Sequence, residues 1–362
     1  MRNRILFMVQ LPPPLHGSSS INKMFVESKS INSAFEISVL PLRFAKSMED
    51  IGEFSIAKAF KMFTYAFKLI SEIRRFKPQL VYFSFSSMGI SFYRDVFYAF
   101  ILKRMKVKVI YHLHVKGIDE ESKKSRLKRS LYKYAFKNSS IISLSDSLGQ
   151  DVGSVFDGKC FTVNNGIMPV QKKYELDKRN EKVEFLYLSN LMRAKGIFVF
   201  LDALAILKEK RKDFIARVIG KPADVSKEEV VQYISTKQLK DHVIVENAKY
   251  GDAKYEALSK AGVFVHPTLN DAFPLVIIEA MQFELPVIST IEGAIPEMVE
   301  EGVNGCLVPK NDASALAVKM ELLASNENLR KQMGENGRRK FTARYTSFIM
   351  EEKLKTVFQD VI

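Results

Sequence analysis

Residues 263–305 read VFVHPTLNDAFPLVIIEAMQFELPVISTIEGAIPEMVEEGVNG, and their order decides the fold. A short apolar run, 263–265, stops at His266-Pro267, and a polar loop carrying Asp271 follows. Pro274 then opens an apolar helix, proline being suited to a helix's first turn, and a second apolar run occupies 286–289. Strand, helix and strand joined by such short connections form a parallel crossover unit, because parallel neighbours need a crossover between them.

The same alternation extends in both directions. Downstream of 183 the pattern predicts strands at 184–189, 214–219, 243–245, 263–266 and 286–289, and helices at 197–210, 226–238, 253–260 and 274–283. Three closing helices follow near 312–324, 326–341 and 346–360. Upstream, strands are expected at 5–9, 35–40, 80–85, 107–112, 141–144 and 161–163. Residues 171–182, QKKYELDKRNEK, are charged at eight of twelve positions and lack an apolar period, so they read as a linker. The 362 residues therefore divide into domains at 1–170 and 183–345, with a last helix at 346–362 expected to pack back on the first domain. Both are α/β and doubly wound, and ligands of such sheets sit beyond the carboxyl ends of the strands.

The unusual residues fall in those places. The helix LVIIEAMQF is apolar almost all round except for Glu279, so it is buried, and a lone carboxylate there costs several kcal/mol without a hydrogen-bonding partner. Two hydroxyls of a sugar would satisfy it; pairing with a neighbouring Lys or Arg would do so too. Asp271 lies eight residues upstream at the helix mouth, where the backbone N–H groups of Phe273 and Leu275, on either side of Pro274, favour an anion such as a diphosphate. Arg193 and Lys195 bracket a tight turn, Arg193-Ala194-Lys195-Gly196, after strand 184–189. They read either as solvated charges or as a clamp for a leaving diphosphate, on which charge grows as its bond to sugar breaks.

In the first half, strand 5–9 runs into QLPPPLHGSSSINK, where Gly17 permits close backbone approach and the serines lead to a helix expected at Ile21. The loop is not GxGxxG, so a dehydrogenase-type dinucleotide site is not supported. Strand 107–112 ends in His112-Leu113-His114, which alternation places on one face. Two histidines without a nearby acid or thiol make an incomplete zinc site, and no metal is expected.

These motifs resemble the family 4 (GT4) retaining glycosyltransferases of the GT-B fold: Asp271-x7-Glu279 resembles that family's Glu-x7-Glu, with Asp at the first position. The neighbouring His-Pro-Thr, Phe-Pro-Leu, Glu-Ala-Met, Leu-Pro-Val-Ile-Ser and R-x-K-G segments agree with the resemblance, as does Asn165-Gly166-Ile167, read as a hinge turn. The resemblance implies two Rossmann-like domains facing a central cleft, the first binding the acceptor and the second a nucleotide-sugar. It implies that Glu279 holds the ribose, and that Arg193, Lys195, Gly17 and the Phe273-Pro274-Leu275 mouth hold the donor diphosphate. Asp271 and His114, with His112 as the alternative, would orient the sugar. No cofactor is implied beyond the substrate, with UDP-sugars the favoured donors. The acceptor would be a glycan or a polyprenyl-diphosphate-linked sugar in bacterial capsule, exopolysaccharide or O-antigen synthesis. A GT-B epimerase or phosphorylase, or a nucleotide-sugar-binding protein without transfer activity, are the other readings.

The net charge of +14 lies almost wholly in residues 1–170 (+13 against +1). Segment 53–77 places Ile56, Phe60, Phe63, Phe67 and Ile70 in one apolar stripe. Lys58, Lys61, Lys68 and Arg75 lie elsewhere, among Phe54, Met62 and Leu69. That second side, with the cations of 123–137, is expected to meet anionic lipid. Nucleic acid is not an expected partner, since no binding motif accompanies the charge. Cys160 and Cys306 stand far apart and form neither a CxxC nor a Cys/His array. With no window of ~18 uninterrupted apolar residues, the expectation is a cytoplasmic protein, peripheral on the inner face of the cytoplasmic membrane.

Overall fold

A computed structural model describes residues 2–14, 16–44, 56–171, 174 and 182–362; at 56, 57 and 59 it describes the backbone alone. The expected linker thus lies outside the described residues except at 171, 174 and 182, as does Phe54. The chain divides into two units, 1–166 with 347–362, and 167–346. It passes from the first to the second at Gly166-Ile167, and the final helix belongs to the first unit.

In the first unit the strands are β1 (Arg4–Val9), β2 (Glu36–Pro41), β3 (Leu80–Phe85), β4 (Lys108–Leu113), β5 (Ser140–Ser143) and β6 (Cys160–Thr162). They pair in the order β2-β1-β3-β4-β5-β6, all parallel. Its helices are α1 (Gly17–Glu27), α2 (Lys29–Ala34), α3 (Ile56–Phe76), α4 (Gly89–Arg104), α5 (Ile118–Lys124), α6 (Arg126–Phe136) and α7 (Asp146–Gln150). Alternation along β1 shows both faces covered. Leu6 and Met8 join the core with Leu69 of α3, Tyr98 of α4 and Phe136 of α6. Phe7 turns the other way, its ring 5.8 Å from that of Phe358 in the closing helix.

The second unit repeats the plan. Its strands β7 (Val183–Leu188), β8 (Phe214–Gly220), β9 (Val243–Asn247), β10 (Val263–His266), β11 (Val287–Thr290) and β12 (Gly305–Val308) run parallel in the order β12-β11-β10-β7-β8-β9. Helices α8 (Ile197–Lys210), α9 (Lys227–Thr236), α10 (Gly251–Lys260), α11 (Leu275–Gln282), α12 (Ile295–Met298), α13 (Ala313–Ser325) and α14 (Glu327–Arg344) follow, and α15 (Ser347–Val361) closes the first unit. β7 and β10 are adjacent, and the chain departs from them in opposite directions across the sheet. The loops after these two strands therefore flank the switch point, where doubly wound sheets bind ligands.

Three features differ from the sequence reading. Helix α1 begins at Gly17 rather than Ile21, because His16 and Ser19 cap it reciprocally and draw the serines into its first turn. The short helix α12 and strand β12 were not expected. On α3 the core side carries Ala66, Leu69, Ile73 and Phe76, while Phe60, Phe63 and Phe67 of the expected apolar stripe face solvent. Apolar residues occupy several sides of this helix, so periodicity alone did not select the buried one.

Candidate functional site

The site in the second unit is built by stitching the loop after β7 to the loop after β10. Ala194 offers its carbonyl oxygen to the N–H of Leu269 at 2.8 Å and to the hydroxyl of Thr268 at 3.2 Å. Gly196 has a left-handed φ of 75°, and a Cβ there would stand 1.9 Å from the carbonyl oxygen of Pro267. Only glycine permits this approach. It sets Lys195 against the 270–271 turn, where its Nζ lies 3.3 Å from the Asn270 carbonyl oxygen and 2.5 Å from Asp271 Oδ2.

Asp271 is held from several directions. Its N–H donates to Glu292 Oε1 at 3.3 Å, and Glu292, itself buried, accepts from Lys310 at 2.8 Å through its other oxygen. Gly293 allows the loop after β11 to meet the 271–272 backbone, where Ala294 N–H donates to the Ala272 carbonyl at 2.8 Å. His266 lies close by, with Nε2 3.6 Å from Asp271 Oδ2, just beyond hydrogen-bond distance. Burial opposes ionisation of Asp271, but His266 and Lys195 outweigh it and hold the carboxyl below its ordinary range. Burial also pushes His266 down, keeping the imidazole neutral at pH 7.

Arg193 does not join this cluster. Its guanidinium pairs with Glu229 of α9 and lies over the Phe198 ring, while its backbone N–H faces Asp224. Glu279, on α11, pairs with a lysine: Oε1 accepts from Lys254 of α10 at 2.6 Å. Its Oε2 is buried and has no hydrogen-bond partner among the described residues. Pro274 is the N-cap of α11, and Leu275 is its first residue. No side chain caps that end, and of the first-turn N–H groups that of Ile277 closes on the Pro274 carbonyl at 3.1 Å. Phe273 is buried and packs edge-on against Tyr345, with ring centroids 6.0 Å apart.

In the first unit, His112 and His114 share a face as alternation requires, their ring centroids 4.0 Å apart. His112 is the inner one: fully buried, with Nδ1 2.6 Å from the Tyr82 hydroxyl. His114 lies just past the carboxyl end of β4, and both of its ring nitrogens are inaccessible without a partner among the described residues. Burial, with His16 nearby, pushes His114 down to about 3, and burial beside His114 depresses His112 as well. Two neutral imidazoles result, suited to hydrogen-bonding hydroxyls. Gly17 is the exposed first residue of α1, directly after His16.

Lys254, His266, Glu292 and His16 were not singled out from sequence. For His266 a signal existed, since it directly ends the strand feeding the Asp271 loop. Lys254 offered none, lying 25 residues from its partner. Among the described residues no group of three or more His, Cys, Asp and Glu is placed to hold a metal ion.

The family model for glycosyl transferases group 1 matches residues 171–340, which contain every one of these second-unit residues except Tyr345. The capsular polysaccharide biosynthesis glycosyltransferase CapM of Staphylococcus aureus is 31% identical over 209 residues, 55% of this chain and 53% of that protein. The colanic acid biosynthesis glycosyltransferase WcaL of Escherichia coli, a putative one, is 33% identical over 144 residues, 38% of this chain and 35% of that protein. The matches thus span about half of CapM and about a third of WcaL. Among solved structures, Anabaena HepE in complex with UDP superposes with a TM-score of 0.76 at 16% identity, covering 99% of this chain and 100% of that one. With the two six-stranded parallel sheets, this likeness gives the fold as GT-B.

Proposed function

We propose that this GT-B chain, with a group 1 glycosyltransferase domain at 171–340, is a retaining, family 4 glycosyltransferase of bacterial surface polysaccharide synthesis. It moves a sugar from a nucleotide-sugar to a glycan or polyprenyl-diphosphate-linked acceptor at the cytoplasmic side of the membrane. The observation that carries this reading is the buried Oε2 of Glu279, unsatisfied among the described residues, in the same crossover unit as Asp271, the partner of Lys195. Such an oxygen gains a hydrogen bond when a ribose hydroxyl arrives. CapM and WcaL, of capsular polysaccharide and colanic acid biosynthesis, support the polysaccharide context, and HepE, solved with UDP, supports the nucleotide.

In this mechanism the bond between the anomeric carbon and the diphosphate oxygen breaks, and its electron pair leaves with the diphosphate. Lys195, and Arg193 once it releases Glu229, stabilise the charge that grows there, with the α11 N-terminus helping to hold the diphosphate. The acceptor oxygen bonds to the anomeric carbon, and its proton passes to the departing phosphate oxygen. Asp271 orients the sugar hydroxyls. These cations take the part that a divalent ion plays elsewhere, so no metal cofactor is required.

A thermal-shift and calorimetric screen of UDP, GDP and ADP sugars tests the reading, with UDP-sugars expected to bind. Binding without turnover on any acceptor would leave a nucleotide-sugar-binding protein, and no binding at all would overturn the site.

A further inference from the structure

We propose that the outward side of α3, continued by α4 and α6, is a docking surface for an anionic lipid bilayer, with Phe60, Phe63 and Phe67 as the residues that enter it. The three phenylalanines are 76%, 52% and 74% exposed, a degree at which large aromatic side chains on a folded surface call for a partner. Spacings of three and four put them on one side of the helix, opposite Leu69, Ile73 and Phe76, which are buried in the core. The stripe is therefore not a misplaced core face; the core face is already supplied.

Charge identifies the occupant. Lys61, Lys68 and Arg75 recur at intervals of seven along one flank of the stripe. Across α3, α4 and α6 there are twelve Lys and Arg against two carboxylates, Glu72 and Asp95. Glu72 is held by Arg75 and Ser38, and Asp95 is fully buried beside Arg94. The aromatic surface runs on into α4 through the Phe63–Phe97 ring contact at 5.9 Å and ends on exposed Phe100. Lys103 then bridges α4 to α6, reaching the Lys137 carbonyl and lying over the Tyr134 ring. A basic protein would meet repulsion here. A bilayer with anionic headgroups meets the cations and accepts the phenylalanines at its acyl boundary, the arrangement of a helix lying in the interface plane. No helix among the described residues is long and apolar enough to cross a membrane, so contact is at the surface.

The test uses the full chain and vesicles of phosphatidylcholine with or without phosphatidylglycerol. The protein should sediment only with phosphatidylglycerol-containing vesicles and be released by salt. The Phe60→Ser/Phe63→Ser/Phe67→Ser variant, altered only at exposed positions, should unfold at the unchanged temperature and partition at least ~10-fold more weakly. Equal partitioning would overturn the proposal. The chain contains no tryptophan, so F67W introduces a single reporter. Its emission should shift to the blue and be quenched by brominated lipid, whereas F348W, at an exposed site on α15, should do neither. An unshifted F67W on vesicle-bound protein, or binding to soluble polyanions without binding to vesicles, would mean that no residue of this face enters a bilayer.

Discussion

Lys254 grips one oxygen of Glu279 at 2.6 Å and leaves the other buried without a partner among the described residues. The lysine neutralises a charge that helix α11 could not otherwise tolerate, and the second oxygen retains its full capacity to accept. Pairing with a lysine and accepting from a ribose hydroxyl are thus not exclusive, since the lysine engages one oxygen only.

Two substitutions separate those roles. Glu279→Gln should weaken nucleotide binding ~10-fold to ~100-fold, the value of hydrogen bonds to a charged acceptor, with a small effect on melting temperature. Lys254→Met strands a mostly buried carboxylate and should cost about 2 kcal/mol of stability in denaturant unfolding. Unchanged nucleotide affinity in the glutamine variant, measured by calorimetry, would reduce Glu279 to a structural role.

The two cations of the R-x-K-G turn should behave differently in binding and alike in turnover. Lys195→Ala removes the partner of Asp271, and Arg193→Ala removes a guanidinium engaged with Glu229. Each should lower turnover ~100-fold or more if each stabilises leaving-group charge, and Glu229→Ala should leave it nearly unchanged. Turnover should also survive chelator. Near-normal rates in both cation variants, or a chelator loss restored by magnesium, would refute the clamp.

Much of this was legible because parallel strands buried on both faces read as continuous apolar runs. β7, VEFLYL, and β10, VFVH, are buried throughout, and α8 falls at the residues its period predicts. The start of α1 was not, since Gly17 and three serines are poor helix formers and a histidine cap sets the boundary. The orientation of α3 was hidden by its excess of apolar residues. Arg193 could be placed on its turn from the sequence, but the direction of its side chain depends on Glu229, far away in the chain.

Gly196 should tolerate no side chain. Alanine there would combine a positive φ with a Cβ 1.9 Å from a backbone oxygen that cannot rotate away. Gly196→Ala should destabilise by more than about 2 kcal/mol and separate the Lys195 turn from the 267–271 loop, lowering nucleotide affinity as well. The comparison is Gly251→Ala, where φ is also positive but nothing lies within 4 Å. That variant carries the backbone strain without the collision, so its loss in melting temperature should be the smaller one. Equal losses would assign the whole effect to backbone conformation.

The buried histidines should make stability fall as the solution becomes mildly acidic. His114 is pushed down to about 3 in the folded chain, whereas an unfolded histidine titrates near 6.5. Above that value both states are neutral and the group contributes no pH dependence. As pH falls below it the unfolded chain takes up a proton that the folded chain refuses, so stability declines by at most about 1.4 kcal/mol per pH unit for each such group. His112 and His266 are depressed by burial too and act in the same sense. Asp271 acts in a separate window: its carboxyl is held low, so its contribution is present above the ordinary carboxylate value and lost only below it. Denaturant unfolding at about pH 7 and about pH 5 should therefore show a clear loss in the wild type, and His114→Gln should show a smaller one. An equal loss in both would place protonation of the acid-sensitive state elsewhere and remove the case for a buried neutral His114.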